Sequence, residues 1–160
     1  SRVSLLLRTW EQVCRSRLVA PSSDTAIFCK HIDREFNTAA DAKANLGRTT
    51  GRMFWHCAEK PSMQFVRVYF DGSYSDKKAG AGFAAFCSDN PGSNDDNWKP
   101  IAWMSMPVVG PSITAAELEA AAAAHCFLAA LLADDGFGYR TADFFENWRP
   151  EGVCRSTSLS

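Results

Sequence analysis

The sequence predicts an α/β fold in which a β-sheet packs against α-helices. Three segments with strand character, at 63–70, 80–87 and 100–109, are separated by turn-rich connections. A long helix rich in Ala and Leu is expected directly after them, at 112–133. The chain has 160 residues, 46% of them hydrophobic and 22% charged, which suits one domain with a buried core. We therefore expect a single sheet covered by helices.

Each strand is indicated by its own residues and by the turn that ends it. The first, MQFVRVYF, is rich in β-branched and aromatic residues and runs into Asp71-Gly72. A loop of Asp, Asn, Gly and Ser residues at 89–98 separates the second strand from the third. Connections this short favour an antiparallel meander. A fourth strand is expected at 137–145.

The N-terminal part of the chain is expected to add two helices and a strand. Apolar residues recur at helical spacing through 3–18, which predicts an amphipathic helix. A short apolar strand is expected at 25–32. A short helix follows at 37–46, with Asn37 as its N-cap and Gly47 as its stop.

Composition also sets the predicted boundaries along the chain. Residues 48–62 are polar and contain glycine, which indicates a connector between an N-terminal segment, 1–47, and a C-terminal segment, 63–148. The serine-rich tail at 149–160 is expected to be disordered.

Charge and cysteine content narrow the classes of function. A formal net charge of −1 excludes a protein that binds nucleic acid through bulk positive charge alone. The six cysteines contain no CxxC pair and indicate neither a zinc site nor a disulfide framework. This usage favours a reduced intracellular setting, in the cytoplasm or the nucleus. Apolar stretches are interrupted by polar residues, so we expect no membrane partner.

Two carboxylates stand where different elements are expected to meet. Asp71 ends the first strand of the meander, and Gly72 after it lets the backbone turn. Glu117 lies one turn into the long helix that would cross the same sheet. Such a pair can hold hard divalent cations, Mg²⁺ or Mn²⁺, which can catalyse phosphodiester hydrolysis. Alone, Asp71 would be a turn residue and Glu117 half of a capping box with Thr114.

These residues resemble the type 1 ribonuclease H family, especially the domains attached to reverse transcriptases in retrotransposons and other retroelements. The segment Phe70-Asp-Gly-Ser73, followed by 78–83, is similar to the family's first strand and hairpin, and 114–120 is similar to its first helix. The resemblance implies a ribonuclease H-like mixed sheet flanked by helices. It also implies hydrolysis of the RNA strand of RNA–DNA hybrids, with Asp71 and Glu117 as the first two metal-binding carboxylates.

A second part of the resemblance lies upstream. The run from Lys30 to Asn45, KHIDREFNTAADAKAN, is similar to the family's C-terminal segment. There, a histidine on a mobile loop precedes by ten positions a metal-binding aspartate on the last helix, and His31 and Asp41 have that spacing. The resemblance implies that Asp41 is a further metal ligand and that His31 assists product release or proton transfer. Alone, Asp41 would be a solvated residue in the first turn of a helix.

The order of these two parts departs from that of the family. The segment that resembles the family's C-terminal part, 1–47, precedes the segment that resembles its N-terminal part, 63–148. Three explanations stay open: a circularly permuted domain, the junction of two tandem domains, and a fragment of a rearranged retroelement. Two chains that exchange halves, as a domain-swapped homodimer, would also complete one site.

The family's third aspartate, at the end of its fourth strand, has no clear counterpart. Asp143 is the first candidate because it falls within the expected fourth strand, and Asp134 and Asp135 are the alternatives. This gap leads to the main rival hypothesis, a catalytically inactive ribonuclease H-like module that serves as a connection or interaction domain of a retroelement polyprotein. A second rival is an integrase or transposase core, against which the upstream segment argues.

Overall fold

A computed structural model of the chain describes residues 37–58, 65–90, 92, 97–110, 112–133 and 138–150. The helix expected at 3–18, the strand expected at 25–32, His31, Asp134, Asp135 and the tail beyond 150 lie outside these ranges. In chain order the described elements are a helix, four strands and two helices. The α/β class is therefore confirmed.

Four strands form one sheet in the spatial order β1-β4-β3-β2. They are β1 (Phe54–Cys57), β2 (Phe65–Ser75), β3 (Lys78–Ser88) and β4 (Lys99–Val108). The last three correspond to the three predicted strands, and β1 lies within the segment expected to be a connector. All three pairings are antiparallel. The parallel pairing of the expected mixed sheet is not among the described strands.

A tight hairpin joins β2 to β3. Ser75 pairs with Lys78, so the connection is only Asp76 and Lys77. Both have positive φ angles, 54° and 62°. This is the backbone of a type I′ turn, whose twist matches that of the flanking strands. The hairpin fixes the register of β2 on β3 and places Asp71 opposite Gly82.

One helix covers each face of the sheet beside β2. Side chains alternate along a strand, so Asp71 and Ser73 point to one face and Gly72 to the other. α1 (Thr38–Thr50) lies on the first face and contacts Ser73, whereas α2 (Ile113–Ala133) lies on the second and contacts Gly72.

The large apolar side chains pack on the α2 side of the sheet. Phe83 and Phe127 are fully buried there, with ring centroids 5.0 Å apart. The α1 side uses small residues instead, so that helix and sheet backbones approach closely. A Cβ on Gly47 would lie 2.2 Å from the backbone oxygen of Met106. The sheet therefore has an aromatic core on one face and close backbone packing on the other.

For α1 the predicted N-cap position, Asn37, is confirmed, whereas the predicted stop at Gly47 was wrong. The helix does not stop at Gly47, which is buried against β4, but continues to Thr50 and ends at Gly51 in the left-handed conformation. Asn37 occupies the N-cap position, but its side-chain amide makes no capping hydrogen bond and instead donates to the carbonyl oxygen of Phe70 at 3.0 Å. Gly47 is thus a packing glycine, and Asn37 ties the start of α1 to β2.

The prediction of a fourth strand at 137–145 was also wrong, because α3 (Tyr139–Asn147) is a helix. Thr141, Phe144 and Phe145 are buried, and Trp148 packs against the same core. These positions follow the helical spacing i, i+3, i+4 and i+7, not the two-residue alternation of a half-buried strand.

α2 carries two further findings. By length and composition it could cross a membrane, although half of the qualifying window is buried within the fold, as in the core helix of a soluble protein. Its start is capped by Ser112, whose hydroxyl accepts from the Ala115 N–H at 3.3 Å. The predicted capping box of Thr114 and Glu117 therefore lies inside the helix, and Glu117 is exposed.

Candidate functional site

Asp71 is at the centre of the candidate site. It lies partly buried on β2, and its pKa is raised from 3.8 to about 6. Burial is the largest cause, followed by the charge of Asp41, while a hydrogen bond to Asp41 and the charge of Glu117 add to the effect. The Gly72 N–H donates to Asp71 Oδ1 at 2.9 Å and opposes the shift. Carboxylates of α1, β2 and α2 therefore act on one another here.

The packing of α1 on β3 brings Asp41 to this site. A Cβ on Gly82, the cross-strand partner of Asp71, would lie 2.5 Å from the Lys43 Cβ and 2.6 Å from the Ala44 nitrogen. Only glycine allows the first turns of α1 to lie this close to the strand. Asp41 belongs to these turns and so stands over the position of Asp71 in the sheet.

An equally close approach brings Glu117 to the site from the opposite face. A Cβ on Gly72 would lie 2.4 Å from the backbone nitrogen of Glu117 and 2.6 Å from the carbonyl carbon of Ala116. Gly72 directly follows Asp71, so the start of α2 rests on the backbone beside that carboxylate. Asp71 therefore supplies a side chain of the type that binds metal ions, and Gly72 allows α2, which carries Glu117, to pack against β2.

A hydrogen-bond network joins Asp41 to the far end of α1. Asn45 Nδ2 donates to Asp41 Oδ2 at 3.3 Å, and Ser73 Oγ donates to Asn45 Oδ1 at 2.6 Å. Arg48 Nε donates to Ser73 Oγ at 2.8 Å, and Arg48 Nη2 lies 3.5 Å from Asn45 Oδ1. Arginine can only donate hydrogen bonds and an ionised carboxylate can only accept them, so every hydrogen bond in the network is donated in the direction from Arg48 to Asp41. The amide nitrogen of Asn45 therefore faces Asp41.

An open cleft of about 410 Å³ lies beside Asp41 and next to the backbone of Gly72, the residue after Asp71. Its lining comes from α1, from the end of β2 and from the start of α2: Asp41, Asn45, Arg48, Gly72, Ser73, Tyr74, Ser75 and Ile113. The cleft thus contains both ends of the network, the acidic Asp41 and the basic Arg48. A ligand in it would meet both signs of charge.

The structure brings together three of the five predicted site residues. Asp41, Asp71 and Glu117 come from α1, β2 and α2, as described above. Asp143 is not at the end of a strand but on α3, exposed, where it accepts from Asn147 Nδ2 at 2.7 Å. It is not among the groups that shift the pKa of Asp71. His31 lies outside the described residues.

The three carboxylates offer an oxygen-only donor set. Within the described ranges, no three His, Cys, Asp or Glu side chains already stand in the geometry of a metal centre. Yet the raised pKa of Asp71 records the nearby charges of Asp41 and Glu117. The carboxylates are therefore near enough for Asp41 and Glu117 to repel the charge of Asp71, without forming a ready-made metal centre among the described residues. Oxygen donors suit a hard cation such as Mg²⁺ or Mn²⁺, which would relieve this repulsion.

Sequence reasoning did not find three polar members of the cleft, Asn45, Ser73 and Arg48. One signal was available for two of them: Asp41, Asn45 and Arg48 follow the spacing i, i+4 and i+7, which places them on one face of a helix. Ser73 joins them only through the way α1 packs on β2. That packing depends on glycines distant in sequence and has no local signature.

Comparisons with protein-family profiles, with curated proteins and with solved structures found no match for this chain. No relative therefore supplies a fold family, a substrate or an activity. The features of this chain that indicate a function are the carboxylate cluster, the cleft beside Asp41 and the sequence resemblance.

Proposed function

We propose that this domain is a metal-dependent endonuclease of the ribonuclease H type, which hydrolyses the RNA strand of RNA–DNA hybrids. The observation that carries the proposal is that Asp41 and Glu117, from two separate helices, both raise the pKa of Asp71, while Gly82 and Gly72 let these helices pack closely on β3 and β2 beside it. Three carboxylates held together raise the free energy of the folded protein unless a cation neutralises them. Sites that retain such repulsion are typical of function rather than of stability.

Each of the three residues would have a defined part in this activity. Asp41, Asp71 and Glu117 would hold Mg²⁺ or Mn²⁺ through oxygen atoms. Bound ions of this kind activate water and stabilise the leaving oxygen in phosphodiester hydrolysis. Asn45 would fix the carboxylate of Asp41 through its hydrogen bond. Hybrid specificity would come from 2′-hydroxyls and backbone shape, because A-like duplexes expose their sugars in a shallow groove.

The direct test is cleavage of a labelled RNA–DNA hybrid in Mg²⁺ and in Mn²⁺. We expect the parent protein to cut the RNA strand and Asp71→Asn to lose that activity by at least a hundredfold, since one ligand of the site is lost. Asp143→Asn is the matched control, because Asp143 is exposed on α3 and away from the cluster. Equal cleavage by parent and Asp71→Asn would overturn the proposal.

A second candidate function is a catalytically inactive ribonuclease H-like module in a retroelement polyprotein. One observation favours it: α3 is a helix where the fourth strand and its aspartate were expected, and Asp143 does not join the cluster. A folded protein that binds Mg²⁺ or the hybrid but cuts neither strand would support this alternative.

A further inference from the structure

The cleft beside the carboxylates has a cationic end that the proposed metal site does not use. Arg48 lies on α1 seven residues after Asp41, which is about 10 Å along a helix axis. Its side chain is partly buried and lines the same cleft as Asp41. A cation in the wall of a cleft that is also lined by Asp41, one of the three proposed metal ligands, is a candidate contact for an anionic ligand.

The guanidinium of Arg48 is held by hydrogen bonds to neutral partners among the described residues. Its Nε donates to Ser73 Oγ at 2.8 Å, and its Nη2 lies 3.5 Å from Asn45 Oδ1. Both partners are neutral, so neither cancels the positive charge. A guanidinium has five N–H donors, and these contacts leave others to point into the cleft. An arginine fixed in this way loses little conformational entropy when it binds an anion.

The ligand chemistry follows from the other walls of the cleft. A small free anion would be repelled by Asp41 and by the neighbouring carboxylates, so the anion must be tethered to a larger ligand. A nucleic-acid strand carries one phosphate per roughly 3.4 Å of helix axis. A separation of about 10 Å therefore corresponds to about three nucleotides. Arginine also binds phosphate oxygens in a bidentate manner that lysine cannot reproduce.

We infer that Arg48, held by Ser73 and Asn45, binds a backbone phosphate about three nucleotides from the bond that lies at the carboxylates. This inference rests on the proposed function and adds a subsite to it. The contact is independent of base sequence, since it reaches only the phosphodiester backbone. It also gives a chain of formal net charge −1 a local means of holding a polyanion.

The test measures binding rather than cleavage. The affinity of a labelled RNA–DNA hybrid is determined in EDTA between about 50 and 200 mM salt. We expect Arg48→Gln to bind roughly tenfold more weakly and to lower the slope of log K against log salt by about 0.7 to 0.9, the loss of one phosphate contact. Arg48→Lys should keep the slope of the parent.

The control residue is Arg52, which is exposed just beyond α1 with its guanidinium 5.8 Å from the centre of the Phe54 ring. Arg52→Gln should bind like the parent. A salt slope in Arg48→Gln equal to that of the parent would overturn the inference. So would a loss of hybrid affinity in Arg52→Gln equal to that in Arg48→Gln. A second measurement needs no variant: arginine-specific modification of the parent protein, read by mass spectrometry, should show Arg48 but not Arg52 protected by the hybrid. Equal modification of Arg48 with and without hybrid would also overturn it.

These readouts separate the two proposals. A slope that depends on Arg48 in a protein that never cuts RNA would establish the phosphate subsite and refute the proposed endonuclease. Cleavage that is lost in Asp71→Asn, together with hybrid binding that is unchanged in Arg48→Gln, would support the endonuclease and overturn the phosphate subsite.

Discussion

The folded protein disfavours the ionised form of the Asp71 carboxyl group. Its pKa of about 6 lies above the ordinary 3.8, so between these two pH values the folded protein binds more protons than the unfolded chain. The stability of the metal-free protein must therefore fall as pH rises through this window and stay lower above it. Because the carboxyl is partly open to solvent, which screens charge, we expect a loss on the order of 1 kcal/mol.

Asp71→Asn should remove this pH dependence. At neutral pH in EDTA the variant should be more stable than the parent by on the order of 1 kcal/mol, because an amide neither repels Asp41 nor must lose a proton. Urea unfolding of both proteins at about pH 4 and at neutral pH measures the effect. A parent protein that gains stability as pH rises from 4 to 7, by more than the variant does, would contradict the prediction.

Asn45 and Asn147 form a matched pair for testing the network. Each donates to an aspartate four residues earlier, Asn45 to Asp41 in the cleft and Asn147 to Asp143 on the surface. Asn45→Ala also deprives Ser73 of its acceptor, so we expect a loss of about 1 to 2 kcal/mol in the free energy of unfolding. Asn147→Ala should cost less than about 0.5 kcal/mol. Similar losses of unfolding free energy for the two variants would show that the network adds nothing to the stability of the fold.

At this scale, the sequence predicted the three interacting carboxylates better than it predicted the residues around them. Asp71 and Glu117 could be proposed because the pattern placed them at an expected strand end and near a helix start, although β2 continues beyond Asp71 to Ser75. Arg48 and Ser73 could not, because the 2.8 Å hydrogen bond between them depends on how far α1 slides along β2. That offset is set by packing, not by either local sequence.

Glycines determine how closely the elements of the site approach. Gly82→Ala would place a methyl group 2.6 Å from the Ala44 nitrogen, so α1 would have to move away from β3. We expect a loss of about 1 to 3 kcal/mol, which is typical of overpacking, and a larger loss of any metal-dependent activity. Gly92→Ala is the control, because its Cβ would meet only Asn90 Oδ1 at 3.6 Å. Thermal unfolding of the two variants measures the difference.

Strands were easier to predict than helices in this chain. β2, β3 and β4 each combine β-branched or aromatic residues with a turn at the end, and those signals are local. The helix α3 was mistaken for a strand because Tyr, Thr and Phe also favour strands. Its true period becomes clear only when Thr141, Phe144 and Trp148 are read as one face. α1 was expected to stop at Gly47, since a helix that continues through a buried glycine looks like one that ends there.

The described elements come from both parts of the chain and form one body. α1 belongs mostly to the segment that resembles the family's C-terminal part, and it packs on strands of the other segment: Gly80 and Gly82 of β3 meet its backbone, and its Lys43 carbonyl accepts from Ser105 Oγ of β4. The sequence predicted the order of the two parts, but it did not predict that they pack against each other within one chain. It depends on contacts between residues far apart along the chain.

Binding of a cation should therefore stabilise the whole domain. Mg²⁺ held by Asp41, Asp71 and Glu117 would join α1, β2 and α2, and at about ten times its Kd it should add about 1.4 kcal/mol to the free energy of unfolding. The unfolding temperature of the parent should rise with Mg²⁺ concentration, and those of Asp41→Asn and Glu117→Gln should rise much less. Asp143→Asn should respond like the parent. A parent protein indifferent to Mg²⁺ and Mn²⁺ would show that the cluster holds neither ion.

The close backbone contacts of α1 and α2 with the sheet also bear on how this chain can change over evolutionary time. Gly72 and Gly82 set the positions of Glu117 and Asp41 by main-chain contact, without large side chains in between. Substitutions that resize the aromatic core around Phe83 and Phe127 act on the α2 side of the sheet, away from the contact of α1 with Gly82. The core can therefore diverge while the position of Asp41 is preserved, as long as the glycine at position 82 is kept.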